Sequence, residues 1–404
     1  MTTCRLVVTC EHGVVEDPLR YEALEAVGLG AGLDVMGACS ALPFVETRQI
    51  LEDRRAAGLA GSMQFTYRNP ARSTDPSVSL PGAQTLVVGA CSYHRDPPPV
   101  PDQVGPVARV ARYVWADDQE RLLQGLGAVA SMLEDVGHRA CVVSDQNHLV
   151  DRAVAARAGL GWFGKNANLL LPGQGSWFIL GAVITDAGPE DLAGLPVPAP
   201  VADGCGTCDR CGPACPTDAI VAPGVVDARR CLAWSLQTEG SFPREHRVVL
   251  GDRIYGCDEC QEVCPPNRRE VIRAGPGGRG QPVPQGDPSQ AWVPVLALLQ
   301  ATDSELLNRH GRWYIARRDP AHLRRNALVV LGNIGDGADS ATRSALSAAL
   351  VHPKPVVRAH AVWASRRLGC DDLLAVVAQD QDPMVRSELA QSVPPLLTPT
   401  PRVS

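Results

Sequence analysis

No apolar run in these 404 residues approaches the length of a membrane span, which sets aside the transmembrane helical class. A secretory signal is missing too: Met1-Thr-Thr-Cys-Arg-Leu-Val-Val-Thr-Cys-Glu-His12 has far too short an apolar core, and acidic residues follow soon after. Basic charge is not in excess. The formal net charge of −6 argues against a protein basic all over, while leaving room for a local basic face. These absences predict a cytoplasmic protein with no membrane partner. Hydrophobic residues at 45% and charged residues at 20% describe an ordinary globular chain, and its length favours two or three domains with ample core.

Cysteine is what the chain has in quantity, 14 in all, and eight fall between positions 205 and 264. Cys205-Gly-Thr-Cys208-Asp-Arg-Cys211-Gly-Pro-Ala-Cys215-Pro216 reads C-x₂-C-x₂-C-x₃-C-P. Cys231 stands alone, and Cys257-Asp-Glu-Cys260-Gln-Glu-Val-Cys264-Pro265 repeats the last three positions. This is the bacterial 4Fe–4S spacing, in which the fourth cysteine serves the other cluster. It predicts Cys205, Cys208, Cys211 and Cys264 around one cluster, and Cys215, Cys231, Cys257 and Cys260 around a second. Zinc ribbons also use C-x₂-C pairs but do not explain C-x₃-C-P twice. A disulfide framework suits short secreted chains instead. The other six cysteines are scattered and read as reduced and buried.

Before this segment helices and strands mix. Helical periodicity covers 20–32, 46–57, 118–135 and 151–158, and strand-like runs cover 33–38, 85–93, 138–143, 168–171 and 176–185, the last two joined as a hairpin through 172–175. The mixture predicts an α+β domain. A proline-rich linker spans 189–202, and a Gly/Pro-rich one begins at Ala274. Beyond it only helices are expected: the stretch from His322 recurs loosely at Pro355 and again at Asp382, as HEAT-type repeats do.

Clusters alone move electrons without defining a reaction. Asp145 sits between a buried strand and a helix, a usual place for a site residue and equally for a turn or N-cap aspartate. Gly159-Leu-Gly-Trp-Phe-Gly164-Lys165-Asn166 nearly spells the phosphate loop. Its context is reversed, helix before and strand after, and Asn166 replaces the metal-binding hydroxyl, so a glycine turn is expected. Arg309, Arg312, Arg317, Arg318, Arg324 and Arg325, with Trp313 and Tyr314 interleaved, form either a solvated helix face or an RNA-facing patch.

Asp145-x₅-Asp151-Arg-Ala-Val-Ala-Ala-Arg-Ala-Gly-Leu-Gly-Trp-Phe-Gly-Lys-Asn166 resembles the signature of the epoxyqueuosine reductase family. So do Val226-Asp-Ala-Arg-Arg-Cys231-Leu and the run from Leu250 through Cys264-Pro265. The resemblance implies a cobalamin-binding catalytic α+β domain (1–200), a ferredoxin-like domain with two 4Fe–4S clusters (201–273), a linker (274–290) and an all-α HEAT-like tail (291–404). It implies reduction of epoxyqueuosine to queuosine at the wobble position of tRNA, by a monomer taking electrons from a donor such as flavodoxin or ferredoxin. Asp145 falls on the family's proton donor, which also neighbours the cofactor. Arg72, Asn166 and Leu169 fall on cobalamin-contact positions. Gln237 and Thr238, with Arg317, Arg318, Arg324 and Arg325, are the expected contacts to the anticodon stem-loop. Ala116, Gln119 and Glu120 depart from the family's Gly and Tyr-His, which bears on the substrate pocket. Two other readings share the features: a cobalamin-dependent reductive dehalogenase, and a two-cluster electron-transfer protein without catalysis.

Overall fold

A computed structural model describes residues 18–102, 105–268 and 288–393. The first half is built on an antiparallel sheet of Val35–Ser40 (β1), Thr85–Ser92 (β2), Ala140–Val143 (β3) and Phe178–Thr185 (β4), in the order β1-β2-β4-β3. Central β2 is apolar without alternation because both its faces are covered. Val87 points into a core with Leu24, Leu122, Leu126 and Leu133, from helices Tyr21–Gly30 (α1) and Asp118–Asp135 (α3). Leu86 and Val88 point the other way, towards Ala153 and Val154 of helix Asp151–Arg157 (α4). A further helix, Val45–Ala56 (α2), carries its charges outward and buries only Leu51.

The periodicity of α3, 18 residues long, is that of the sequence. Asp117 caps its N-terminus by accepting from Glu120 N at 3.2 Å. Gly125 lets it press on the sheet layer, since a Cβ there would lie 2.5 Å from Leu33.

One expectation is corrected. Leu169–Leu170 does not continue as a hairpin with β4, beyond a single bridge between Leu171 and Gly175. It pairs antiparallel with Trp162–Phe163 instead. Gly161 permits this, because a Cβ there would stand 2.2 Å from the Leu170 carbonyl oxygen. The Gly-Lys-Asn stretch is therefore the tip of a tight hairpin, closed by Gly164 N to Asn168 O at 2.8 Å.

Downstream, the cysteine segment and the tail share one hydrophobic core. Leu232, Leu236, Phe242, Leu250 and Ile254 pack with Leu323, Ala327, Leu331, Val362 and Trp363. A three-stranded sheet stitches the parts together: Val107–Val110 lies between Arg253–Tyr255, parallel to it, and Trp292–Pro294, antiparallel. The tail helices are Ala321–Ile334 (α5), Ser340–Leu350 (α6), Pro355–Arg367 (α7) and Pro383–Leu389 (α8). Three of them start within a residue of the recurring stretches. Among the described residues no helix is long and apolar enough to cross a membrane.

Candidate redox centre and adjoining cleft

The eight cysteines separate into two groups. Cys205, Cys208, Cys211 and Cys264 line one small pocket together with Lys165, Asn166 and Arg210. Short bonds shape the first three: Cys208 N donates to Cys205 O at 2.9 Å, and Cys211 opens the helical turn Cys211–Ala214. Burial pushes the Cys264 thiol up to about 12, and the charges of Cys205, Cys211 and Cys208 add to it. In the second group Cys260 is raised by burial and then by Cys257, Cys231 and Cys215. Burial likewise lifts Cys257 to about 11.

Thiols crowded and buried in this way ionise only beside compensating positive charge, which bound iron supplies. Among the described residues no group of three or more His, Cys, Asp or Glu side chains closes on a point as a single ion would require. The two quartets are soft donors spread wider than that, the arrangement suited to a cube whose irons each take one thiolate.

Beside them lies a cleft. β3 ends at Val143, where Ser144 Oγ donates to Leu180 O at 2.9 Å and accepts from Gln119 Nε2 at 3.0 Å. The chain then turns through Asp145, whose φ of 50° is left-handed. Its N–H donates to Asp151 Oδ2, at the head of α4, at 3.3 Å. The Asp145 residue is open to solvent on one side, yet the surrounding protein holds its carboxyl above the usual range by burial. Burial, and then the charge of Asp145, push Asp151 up to about 7. Tyr113 faces the same carboxylate and hydrogen-bonds Tyr255, whose phenolic oxygen accepts from Tyr314 N at 2.7 Å.

A small open pocket adjoins this turn, lined by Tyr93, Arg152, Asn168, Leu169, Phe178 and Leu180 among others. Leu169, a cobalamin-contact position by resemblance, lies in the lining of this pocket. Asn166 is buried, accepting from Asn168 N at 3.1 Å and donating to Cys260 O at 3.1 Å, so it ties the cleft wall to the second cysteine group. Arg72 is exposed beside His148, whose basicity is lowered by burial and by that arginine, and whose Nδ1 lies 2.9 Å from Ser79 Oγ.

The arginine patch divides. Arg317 and Arg318 are exposed, both in left-handed backbone, and Arg317 Nε pairs with Glu239 at 2.6 Å. Arg324 and Arg325 do not face solvent, which corrects the expectation for them. Arg324 is 7% exposed and engages Asp303 at 2.5 Å and Ala301 O at 2.7 Å. Arg325, fully buried, donates to the carbonyls of Thr238, Gly240, Ser235 and Leu236. Gln237 and Thr238 lie half-buried in that loop. Tyr314 is exposed, 5.6 Å from Phe65 and 6.5 Å from Trp234 between ring centroids, so three separate parts of the chain meet there.

Sequence reasoning missed Asp151, Tyr113 and Tyr255 as neighbours of Asp145. The signal for Asp151 was available in its spacing, since six residues across a strand–helix turn bring the two together. Tyr113 and Tyr255 meet only through the pairing of Val107–Val110 with Arg253–Tyr255.

Residues 204–267 match a protein family described as a 4Fe-4S double cluster binding domain. An epoxyqueuosine reductase of Bacillus cereus is 31% identical over 352 residues, 84% of this chain and 87% of that protein. A crystal structure of epoxyqueuosine reductase with an epoxyqueuosine-modified tRNA-Tyr stem loop superposes with a TM-score of 0.80 at 27% identity, over 91% of this chain and 96% of the other. The Bacillus subtilis enzyme, solved with its catalytic aspartate loop swung out of the active site, gives 0.79 at 27% identity, over 91% and 96%.

Proposed function

This chain belongs to the epoxyqueuosine reductase family, and from that premise we propose that it reduces epoxyqueuosine to queuosine at the wobble position of tRNA. The observation that carries the reading is the junction at Asn166, which lines the pocket of the first thiol quartet and donates to the Cys260 carbonyl of the second, in a chain whose Asp145 carboxyl is held above its usual range. Cys205, Cys208, Cys211 and Cys264 hold one 4Fe–4S cluster, and Cys215, Cys231, Cys257 and Cys260 the other.

The first 200 residues form the cobalamin-binding α+β domain, 201–273 the ferredoxin-like one, and the helices from 291 a HEAT-like tail. The cleft fits a corrinoid in kind. Leu169, Leu171, Phe178 and Leu180 offer an apolar wall to a flat macrocycle, while the Asn147 side-chain oxygen, buried two residues from Asp145 with no hydrogen-bond partner, suits an amide on its rim. Leu169 and Arg72, with the Asn166 turn, are its contacts. Held there, a corrinoid would supply the two-electron reducing chemistry that opening the strained ring requires, and clusters held by the two cysteine groups would supply its electrons one at a time.

The protein's own part is proton transfer and positioning. Asp145 donates to the departing epoxide oxygen, and burial keeps its carboxyl protonated further towards neutral pH than an exposed one. The Gln119–Ser144–Leu180 chain fixes the strand end from which it projects. Gln119 here stands where the family commonly has Tyr, which bears on the substrate pocket. Exposed Arg317 and Arg318, with Tyr314, offer phosphate and stacking contacts to the anticodon stem-loop near Gln237 and Thr238. A donor such as flavodoxin or ferredoxin reduces the monomeric protein in the cytoplasm.

The test is anaerobic incubation of the reduced, cobalamin-loaded protein with an epoxyqueuosine stem-loop, following loss of one oxygen by mass. Conversion is expected. Intact clusters and bound corrinoid without conversion would favour the dehalogenase-like alternative, and failure to bind corrinoid the electron-transfer one.

A further inference from the structure

Opening an epoxide to an alkene with loss of water takes two electrons and two protons, and Asp145 carries one proton at a time. We propose that Asp151 is the proton reservoir behind Asp145, returning it to the acid form between the two deliveries. The inference rests on the function proposed above and concerns the internal supply of its second proton.

The geometry singles out Asp151. Its Oδ2 accepts from the backbone N–H of Asp145 at 3.3 Å, so the two residues are tied across one turn whatever the substrate. That turn is held in left-handed backbone at Asp145 and anchored on its other side by Ser144. Arg152 is the cation that acts on Asp151, and this side chain donates to Ala167 O at 3.0 Å beside the adjoining pocket. Burial outweighs its attraction, and Asp151 is pushed to about 7, where a carboxyl can both give and retake a proton near neutral pH. Tyr113 and Tyr255 also face Asp145, but burial raises both phenols, which therefore keep their protons.

The steps balance. The Asp145 O–H bond breaks and its proton goes to the epoxide oxygen as the first C–O bond opens. The Asp145 carboxylate then takes the proton of Asp151. A second donation from Asp145 goes to the hydroxyl oxygen as the second C–O bond breaks, releasing water and leaving the alkene. Both electrons come from the external donor already named, and Asp145 and Asp151 each regain a proton from solvent, two in all for the two delivered.

The experiment compares wild type, Asp151→Asn, Asp151→Glu and Asp145→Asn in cobalamin-loaded protein on the epoxyqueuosine stem-loop. Asn at 151 keeps an oxygen to accept from Asp145 N–H but holds no transferable proton. The expected result is a kcat lower by roughly 10²-fold with KM unchanged, and substantial recovery in Asp151→Glu. A second readout needs no turnover: infrared titration of the holoprotein should show a protonated-carboxyl band near neutral pH that Asp151→Asn removes. Wild-type kcat and pH profile in Asp151→Asn would overturn the proposal and leave Asp151 as an anchor of the turn. Absence of the band would overturn it also. If wild type itself converts nothing, the proposed function falls, while the band still decides whether Asp151 stores a proton.

Discussion

Arg325 donates through Nη1 to the carbonyl oxygen of Thr238 at 2.7 Å, from a position with no solvent exposure. Its other donors reach Gly240, Ser235 and Leu236, and Asn326 adds a bond to Leu236 O at 2.9 Å. Helix α5 therefore holds in place the loop that follows Cys231, and the tail acts on the cysteine segment from within the shared core.

Replacing Arg325 by Leu should take a donor from four carbonyls, of which Leu236 keeps Asn326 and Ser235 keeps the Thr238 hydroxyl, and cost on the order of 3 kcal/mol, because buried acceptors left unpaired are expensive. Arg317→Ala, at an exposed ion pair, should change stability by less than about 1 kcal/mol. Thermal melting of the two variants checks the contrast, and equal shifts would refute it.

His360 clamps the same loop as a neutral ring. Its Nε2 accepts from Phe242 N at 3.1 Å, so Nδ1 carries the proton towards Val356 O at 2.7 Å. Burial, and then the positive charge of Arg247, hold its pKa well below the usual value. A depressed folded pKa contributes stability that is present above the unfolded value, about 6.5, and lost as pH falls below it. Melting temperature should therefore drop from pH 7 to pH 5, and His360→Gln should flatten that dependence.

Asp151 works with the opposite sign. Its folded pKa of about 7 lies above the unfolded value, so its contribution is present at low pH and lost as pH rises to about 7. The stability of Asp151→Asn relative to wild type should increase between pH 5 and pH 8. A constant difference across that range would contradict the raised pKa.

Cys264→Ser should empty the group containing Cys205 and leave its sequence neighbours Cys257 and Cys260 loaded. Iron analysis should fall from about eight to about four per chain, with one spectroscopic cluster signal retained. Loss of the signal that also depends on Cys215 would refute this grouping.

Asp145→Asn should lower turnover by roughly 10²–10⁴-fold, with iron, corrinoid and RNA binding unchanged. Arg317→Ala with Arg318→Ala should weaken stem-loop binding and reduce the salt slope by about one per phosphate contact removed. An unchanged slope would move the RNA contact elsewhere.

Cysteine grouping was legible because cluster ligation writes itself into local spacing. So was α3, whose apolar face at Leu122, Leu126, Val129 and Leu133 repeats with the helix. Arg325 was not legible, since an arginine on a helix reads alike whether it meets phosphate or a buried loop, and its acceptors lie some ninety positions away. Leu169–Leu170 misled for a related reason: so short an apolar run fixes no partner, and Gly161 decided the pairing through backbone contact alone.

The interleaving of the two cysteine groups bears on how the protein is made. Three thiols of one group leave the ribosome together at Cys205–Cys211, but their fourth comes with Cys264, and the other group stays open until Cys260. The second group cannot be filled on a nascent chain that has not passed Cys260, nor the first on one that has not passed Cys264. Until then the early thiols stand as an incomplete set, open to oxidation to sulfenic acid or disulfide. Iron loading is thereby confined to chains of which about two thirds has been made.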